Sequence, residues 1–181
     1  MKKYIKRILV IVMLVITLTG CYKNNSSNDK PKDNIYHKDF GSYEVLDGWV
    51  ENKEHSTRNK FFYVLEGTEK QSSPNNISIN EGTNKYSSNE HTSFRTAIVK
   101  QLSSQISGKE GVTLNANGSY TDNDYVVYTF VIHEEDKDIT TTQYYIVGDY
   151  KYVLIHETVH GTSTETDEVA KKMLNTFKWN D

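Results

Sequence analysis

The spacing of apolar and polar residues changes character several times along this chain. Ile8 to Leu18 (ILVIVMLVITL) is apolar throughout except for Thr17. The run is shorter than the roughly 20 residues that a membrane-spanning helix needs. Tyr22 to Asn34 (YKNNSSNDKPKDN) has no apolar period and reads as a flexible tether. From Ile35 onward alternation dominates. Tyr36–Phe40 and Ser42–Leu46 are predicted as short strands, followed by an Asp47-Gly48 turn and Trp49. Lys60–Glu66 (KFFYVLE) and the strictly alternating Asn76–Asn80 (NISIN) are predicted strands, the second launched by Ser73-Pro74-Asn75. Between Glu90 and Ser107 the period lengthens. Phe94, Ile98, Leu102 and Ile106 recur at steps of four, which predicts an amphipathic helix capped by Thr92 or Ser93 and stopped by Gly108.

Strand signals then return. Gly111–Leu114 leads to a predicted Asn117-Gly118 turn, and Ser119–His133 holds the run YVVYTFVI. A charged loop, Glu134–Asp138, precedes Thr140–Val147. Gly148-Asp149 reads as a two-residue hairpin turn, and Lys151–His160 (KYVLIHETVH) runs back. A closing helix has Thr164 as its predicted cap and Val169, Met173, Leu174 and Phe177 as its apolar stripe. No internal repeat is present. Two helices and six or seven strands joined mostly by hairpins predict an α+β domain, with helices covering an antiparallel sheet.

The N-terminus carries a different kind of information. Lys2, Lys3, Lys6 and Arg7 precede the apolar run, and no acidic residue occurs before Asp29. Basic residues, a short apolar core and then small residues are the signature of a secretory signal. Leu18-Thr19-Gly20-Cys21 resembles the lipobox of bacterial lipoproteins. That resemblance implies cleavage between Gly20 and Cys21 and a thioether-linked diacylglycerol on the Cys21 sulfur, with fatty acyl chains such as palmitate. Residues 1–20 would then be the signal peptide, 21–34 the lipidated cysteine and tether, and 35–181 the domain. The implied partner is a membrane, held through the N-terminal lipid. A composition rich in Lys and Asn fits an AT-rich Gram-positive genome, and by that association the domain would sit on the outer face of the cytoplasmic membrane.

Composition and charge narrow the functional classes. A single cysteine among 181 residues excludes an internal disulfide framework, and a mean hydropathy of −0.67 excludes a polytopic membrane protein. Cleavage before Cys21 would remove four of the 21 basic residues and none of the 24 acidic ones, taking the formal net charge from −3 to −7. An acidic domain without clustered Lys and Arg is not a nucleic-acid binder.

The order of elements resembles a known family. A strand pair ends in a turn and Trp (Val45 to Trp49), and an aromatic strand (Phe61 to Leu65) and a Pro-Asn-Asn-Ile segment (Pro74 to Ile77) follow. A central helix, a long β-meander carrying Gln143-Tyr144-Tyr145, and a final helix ending in Phe177-Lys178-Trp179 complete it. Residues 36 to 179 thereby resemble the PsbP-like fold, named for the extrinsic subunit of photosystem II. Where that family usually carries Pro in its first turn, this chain has Asp47. The resemblance implies an α/β/α sandwich. It implies no activity, because members of one fold serve unrelated functions.

One segment carries a catalytic signature. His156-Glu157-Thr158-Val159-His160 satisfies H-E-x-x-H, in which two histidines one helical turn apart chelate zinc and the glutamate polarises a metal-bound water. A zinc-dependent hydrolase using His156, Glu157 and His160 is therefore the alternative to a binding function. The signature requires a helix, and the β-branched and aromatic neighbours Tyr152, Val153, Ile155, Thr158 and Val159 favour a strand, with Gly161 directly after His160. The other candidates have bland readings. His133, Glu134, Glu135, Asp136 and Asp138 lack the spacing of a calcium loop. Tyr120, Tyr125, Tyr128, Tyr144, Tyr145, Tyr150 and Tyr152 would line a ligand-stacking face if they shared one. No G-x-S-x-G elbow occurs. The expectation is thus a lipid-anchored extracytoplasmic module without catalytic residues or cofactor, binding a protein or small molecule that the sequence does not specify.

Overall fold

A computed structural model describes residue 31 and residues 33–180 of the chain. The signal segment, the Gly20–Cys21 junction and most of the tether lie outside the described residues. The domain is α+β, as its alternation predicts. Seven strands form an antiparallel sheet in the order β3-β4-β5-β9-β8-β7-β6: β3 (Trp49–Glu51), β4 (Lys60–Leu65), β5 (Asn76–Thr83), β6 (Val112–Tyr120), β7 (Val126–Glu134), β8 (Ile139–Val147) and β9 (Lys151–His160). A second, three-stranded sheet joins β1 (Ile35–Lys38), β2 (Gly41–Glu44) and the two-residue β10 (Lys178–Trp179). The helices are α1 (His91–Ile106) and α2 (Thr164–Thr176).

Period-two alternation sends side chains to opposite faces of the large sheet, and each face builds its own core. On one face Ile77, Ile79, Tyr144, Ile146, Val153 and Ile155 are buried under Val169, Ala170 and Met173 of α2 and under Tyr36 and Tyr43 of the small sheet. On the other face Phe94 and Leu102 of α1 are buried against Tyr128, Phe130, Tyr145 and Val147. The arrangement is an α/β/α sandwich with the small sheet sharing one layer with α2. Tyr43 and Tyr63 meet through their hydroxyls at 2.8 Å, and Glu44 ties β2 to α2 by an ion pair with Lys172.

Four local expectations are corrected. Asn117-Gly118 is not a turn. Both residues pair inside the ladder, Asn117 with Thr129 and Gly118 with Tyr128, and Gly118 gives the Tyr128 ring room to lie across the strand. The chain reverses instead at Thr121–Asp124, where Asp124 takes φ 63° and the Thr121 hydroxyl accepts from the N–H groups of Asn123 and Tyr125. The β8–β9 connection has three residues, Gly148–Tyr150, with Tyr150 at φ 55°. That backbone is held from outside: Tyr150 N–H donates to the Tyr86 carbonyl, and its own carbonyl accepts from Asn84. Helix α1 is entered through a 3₁₀ turn, Ser88–Glu90, with a capping box between Ser87 and Glu90 rather than a cap at Thr92 or Ser93. Helix α2 is capped by Ser163, not Thr164; the Ser163 hydroxyl accepts from Thr166 N–H.

Candidate functional site

The HETVH segment lies wholly within β9. His156 and His160 stand on the same face, but at about 3.3 Å per residue they are some 13 Å apart along the strand, beyond the reach of one ion. Glu157 points to the opposite face. His160 is exposed and donates its backbone N–H to Asn75 Oδ1, whereas His156 is half-buried opposite Ser78 and Gln143. Burial, aided by the charge of Lys60, pushes the His156 imidazole down to about 4. Among the described residues no group of three or more His, Cys, Asp or Glu is placed to hold a metal ion. The zinc-peptidase reading needs residues 153–160 to be helical, and they are not.

Glu157 nevertheless belongs to the most unusual polar cluster of the fold. It is only 2% exposed, on the sheet face beneath α2. Tyr144 of β8 sends its hydroxyl toward both Glu157 Oε2 and Asp167 Oδ1, at 3.4 Å each. Asp167, in the first turn of α2, is paired with Lys171 at 2.6 Å. Burial, then the Asp167 charge, push the Glu157 carboxyl up to about 7, against hydrogen bonds from Thr142 and Tyr144 that favour its ionised form. Burial and the two carboxylates likewise drive the Tyr144 phenol far above its ordinary range. A protonated acid beside an un-ionised phenol is a proton-holding arrangement. It is closed over by the sheet and α2, and the groups it offers to solvent are those of the Asp167–Lys171 pair.

The seven tyrosines do not form one face. Tyr144 and Tyr125 join the core beneath α2 and the small sheet, and Tyr128, Tyr145 and Tyr152 pack around Phe94 beneath α1. Tyr120 and Tyr150 are exposed. The residues in the run Glu134–Asp138 form a 3₁₀ turn in which Glu134 pairs with Lys137, and Asp138 takes φ 50° to start β8.

A hollow of about 210 Å³ opens where the start of α2 meets the loops after β4, with Trp49, Leu65, Gln71, Pro74, Ser163 and Thr166 in its wall. Trp49 is 1% exposed, and its indole N–H has no acceptor. An unpaired buried donor of this kind costs about 1–3 kcal/mol. Sequence reading missed this place because its walls come from four separate segments.

No protein-family model matches the chain, and no curated protein sequence matches it. In fold it is similar to the solution structure of the cyanobacterial PsbP (CyanoP) from Synechocystis sp. PCC 6803, at 12% sequence identity over 89% of this chain and 98% of that one, with a TM-score of 0.47. No residue correspondence follows at that identity. Among the described residues no helix is long and apolar enough to cross a membrane.

Proposed function

We propose that this chain is a lipid-anchored extracytoplasmic binding module, attached through Cys21 and without catalytic activity of its own. The observation that carries the anchoring is the sequence Leu18-Thr19-Gly20-Cys21 placed directly behind a basic segment and a short apolar core. Two or three acyl chains give stable attachment, since each buried CH₂ contributes about 0.8 kcal/mol. The segment from Cys21 to Asn34 can span at most about 45 Å when extended, enough to hold the domain clear of the headgroups. Where that segment meets the domain it is tied down: Asn34 donates its side-chain amide to Asp47, and its carbonyl accepts from the Val45 N–H.

Support for binding rather than catalysis comes from the placement of the chemistry-bearing groups. His156 and Glu157 face opposite sides of one strand, and Glu157 is buried on the face beneath α2. The hollow beside Trp49 is walled by both apolar and polar residues, Leu65 and Pro74 beside Gln71 and Ser163, a combination suited to a small polar ligand or an inserted side chain.

Intact mass of the detergent-extracted protein tests the anchor. The expected species lacks residues 1–20 and carries a diacylglyceryl adduct on Cys21, and Cys21→Ala abolishes both changes. An unlipidated chain that keeps residues 1–20 refutes the proposal.

A further inference from the structure

The two ends of the seven-stranded sheet are built differently. One edge, β3, has three residues, and Glu51 within it is paired with both Lys38 and Lys53. Short length and charge are ordinary protections against edge-to-edge association. The other edge, β6, has nine residues, Val112-Thr-Leu-Asn-Ala-Asn-Gly-Ser-Tyr120, with no charge and no proline. It pairs with β7 without a bulge along its whole length, so its even-numbered residues turn their hydrogen-bonding groups to the open side, where among the described residues only the Gly118 N–H is taken up, by Asn117 Oδ1. Asn115 through Tyr120 are all exposed, Tyr120 at 69%. In a chain whose formal charge is negative, a nine-residue uncharged edge stands apart.

We propose that β6 is a homotypic docking edge, pairing antiparallel with β6 of a second copy of this chain about a two-fold axis at Ala116. A two-fold axis perpendicular to the sheet keeps like faces together, so residues of the same parity must meet, and centring on Ala116 lets all nine residues pair. Ala116 then faces Ala116. Asn115 faces Asn117, amide to amide; Thr113 faces Ser119, hydroxyl to hydroxyl. Leu114 faces Gly118, large against absent, and Val112 faces Tyr120, a β-branched residue against an aromatic ring. Thr113–Ser119 and Val112–Tyr120 are favourable types of cross-strand pair, Ala116–Ala116 is neutral, and no like charges meet within the strand. The partner that fits this pattern is the strand itself, because each half of β6 complements its other half. Pairing would cover the exposed Tyr120 and join two sheets into one of fourteen strands, with α1 of both copies on one side. The inference does not depend on lipid anchoring, although confinement of anchored copies to one surface would raise their effective concentration.

Oxidative cross-linking of full-length chains reads the register directly, with the parent chain, whose single thiol is Cys21, setting the background. Ala116→Cys brings two thiols together across the axis and is expected to give a disulfide-linked dimer. Thr113→Cys alone is expected to pair without a disulfide and to run as a single chain under denaturing conditions, since its two thiols lie about 20 Å apart along the paired strands. The double variant Thr113→Cys/Ser119→Cys is expected to cross-link again. Sedimentation provides an independent readout: Ala116→Lys sets two ammonium groups face to face and weakens the dimer by about 5-fold. A monomeric parent chain, equal cross-linking of Thr113→Cys and Ala116→Cys, or capture of Ala116→Cys by a different protein would each overturn the proposal. Cross-linking in soluble chains that lack lipid would still support it, which separates its failure from failure of the anchor.

Discussion

Glu157→Gln makes the domain more stable than the parent at about pH 8, by up to ~3 kcal/mol, while the two chains become nearly equal at about pH 4. The sign follows from the direction of the shift. In the folded domain the Glu157 carboxyl holds its proton up to about 7, whereas its ordinary value is 4.5. Folding therefore favours the protonated acid. The stabilising contribution is fully present below about pH 4.5 and is lost as pH rises through about 7, where an ionised carboxylate must sit 2% exposed beside Asp167. Glutamine keeps the volume and can still accept from Thr142 and Tyr144, but it carries no charge to bury.

The comparison must be made between variant and parent, because the neighbouring residue works in the opposite sense. His156 is pushed down to about 4 from its ordinary 6.5, so its contribution is fully present above about pH 6.5 and is lost as pH falls through about 4. The groups facing Glu157 are Tyr144 of β8, Asp167 and Lys171 of α2, and Thr142, and all are retained in the variant. Urea denaturation of both chains at a series of pH values provides the measurement. A Glu157→Gln chain that runs parallel to the parent from acid to alkaline pH would show that the Glu157 carboxyl titrates alike in the folded and unfolded chain, with no raised proton affinity.

Phe177→Ala is expected to destabilise the domain by about 3–5 kcal/mol, among the largest effects of any truncation in the protein. Phe177 ends α2, is fully buried, and lies where the layers join. Its ring meets Phe40 at 6.4 Å, Tyr125 at 6.3 Å and Trp179 at 5.0 Å between centroids, while its carbonyl accepts from the Asn123 side chain at 2.9 Å. It also fixes the approach of β10 to β2. A Cβ on Gly41 would stand 2.4 Å from the Lys178 carbonyl and 2.8 Å from the Phe177 ring, so these backbones meet only because position 41 is glycine. Removal of the ring leaves a cavity under the small sheet and frees the chain's last strand. The urea midpoint measures the loss, and Phe177→Leu should recover part of it. A loss below about 1 kcal/mol would mean that the small sheet docks without this contact.

Both helices and most of the sheet were readable from period because the central strands alternate between two covered faces, as Tyr144 and Ile146 do against Tyr145 and Val147 on β8, whereas the short edge strand β3 and the exposed second half of β6 carry no such signal. The local errors share a cause. Asn117-Gly118 has strong turn chemistry, yet pairing with Tyr128 and Thr129 outweighs it, and nothing near residue 117 in the sequence discloses that partner. The left-handed Tyr150 is held by Asn84 and Tyr86, more than sixty residues earlier. Of the site candidates, the strand character of HETVH was legible from Val153, Ile155 and Thr158. The meeting of Glu157 with Asp167 was not, since it requires α2 to fold back over β9.

By itself the sequence determined the α+β class, the two helices, most of the strands in their order and the strand at residues 151–160, because propensity and alternation are local properties; the lipidation we propose at Cys21 rests likewise on a short local motif. Only the tertiary structure decided which edge of the sheet is left open, that a small sheet shares the α2 layer, and that Glu157 is buried with a raised proton affinity. Those depend on desolvation and on partners distant in the chain, and both are set by packing rather than by neighbours in sequence.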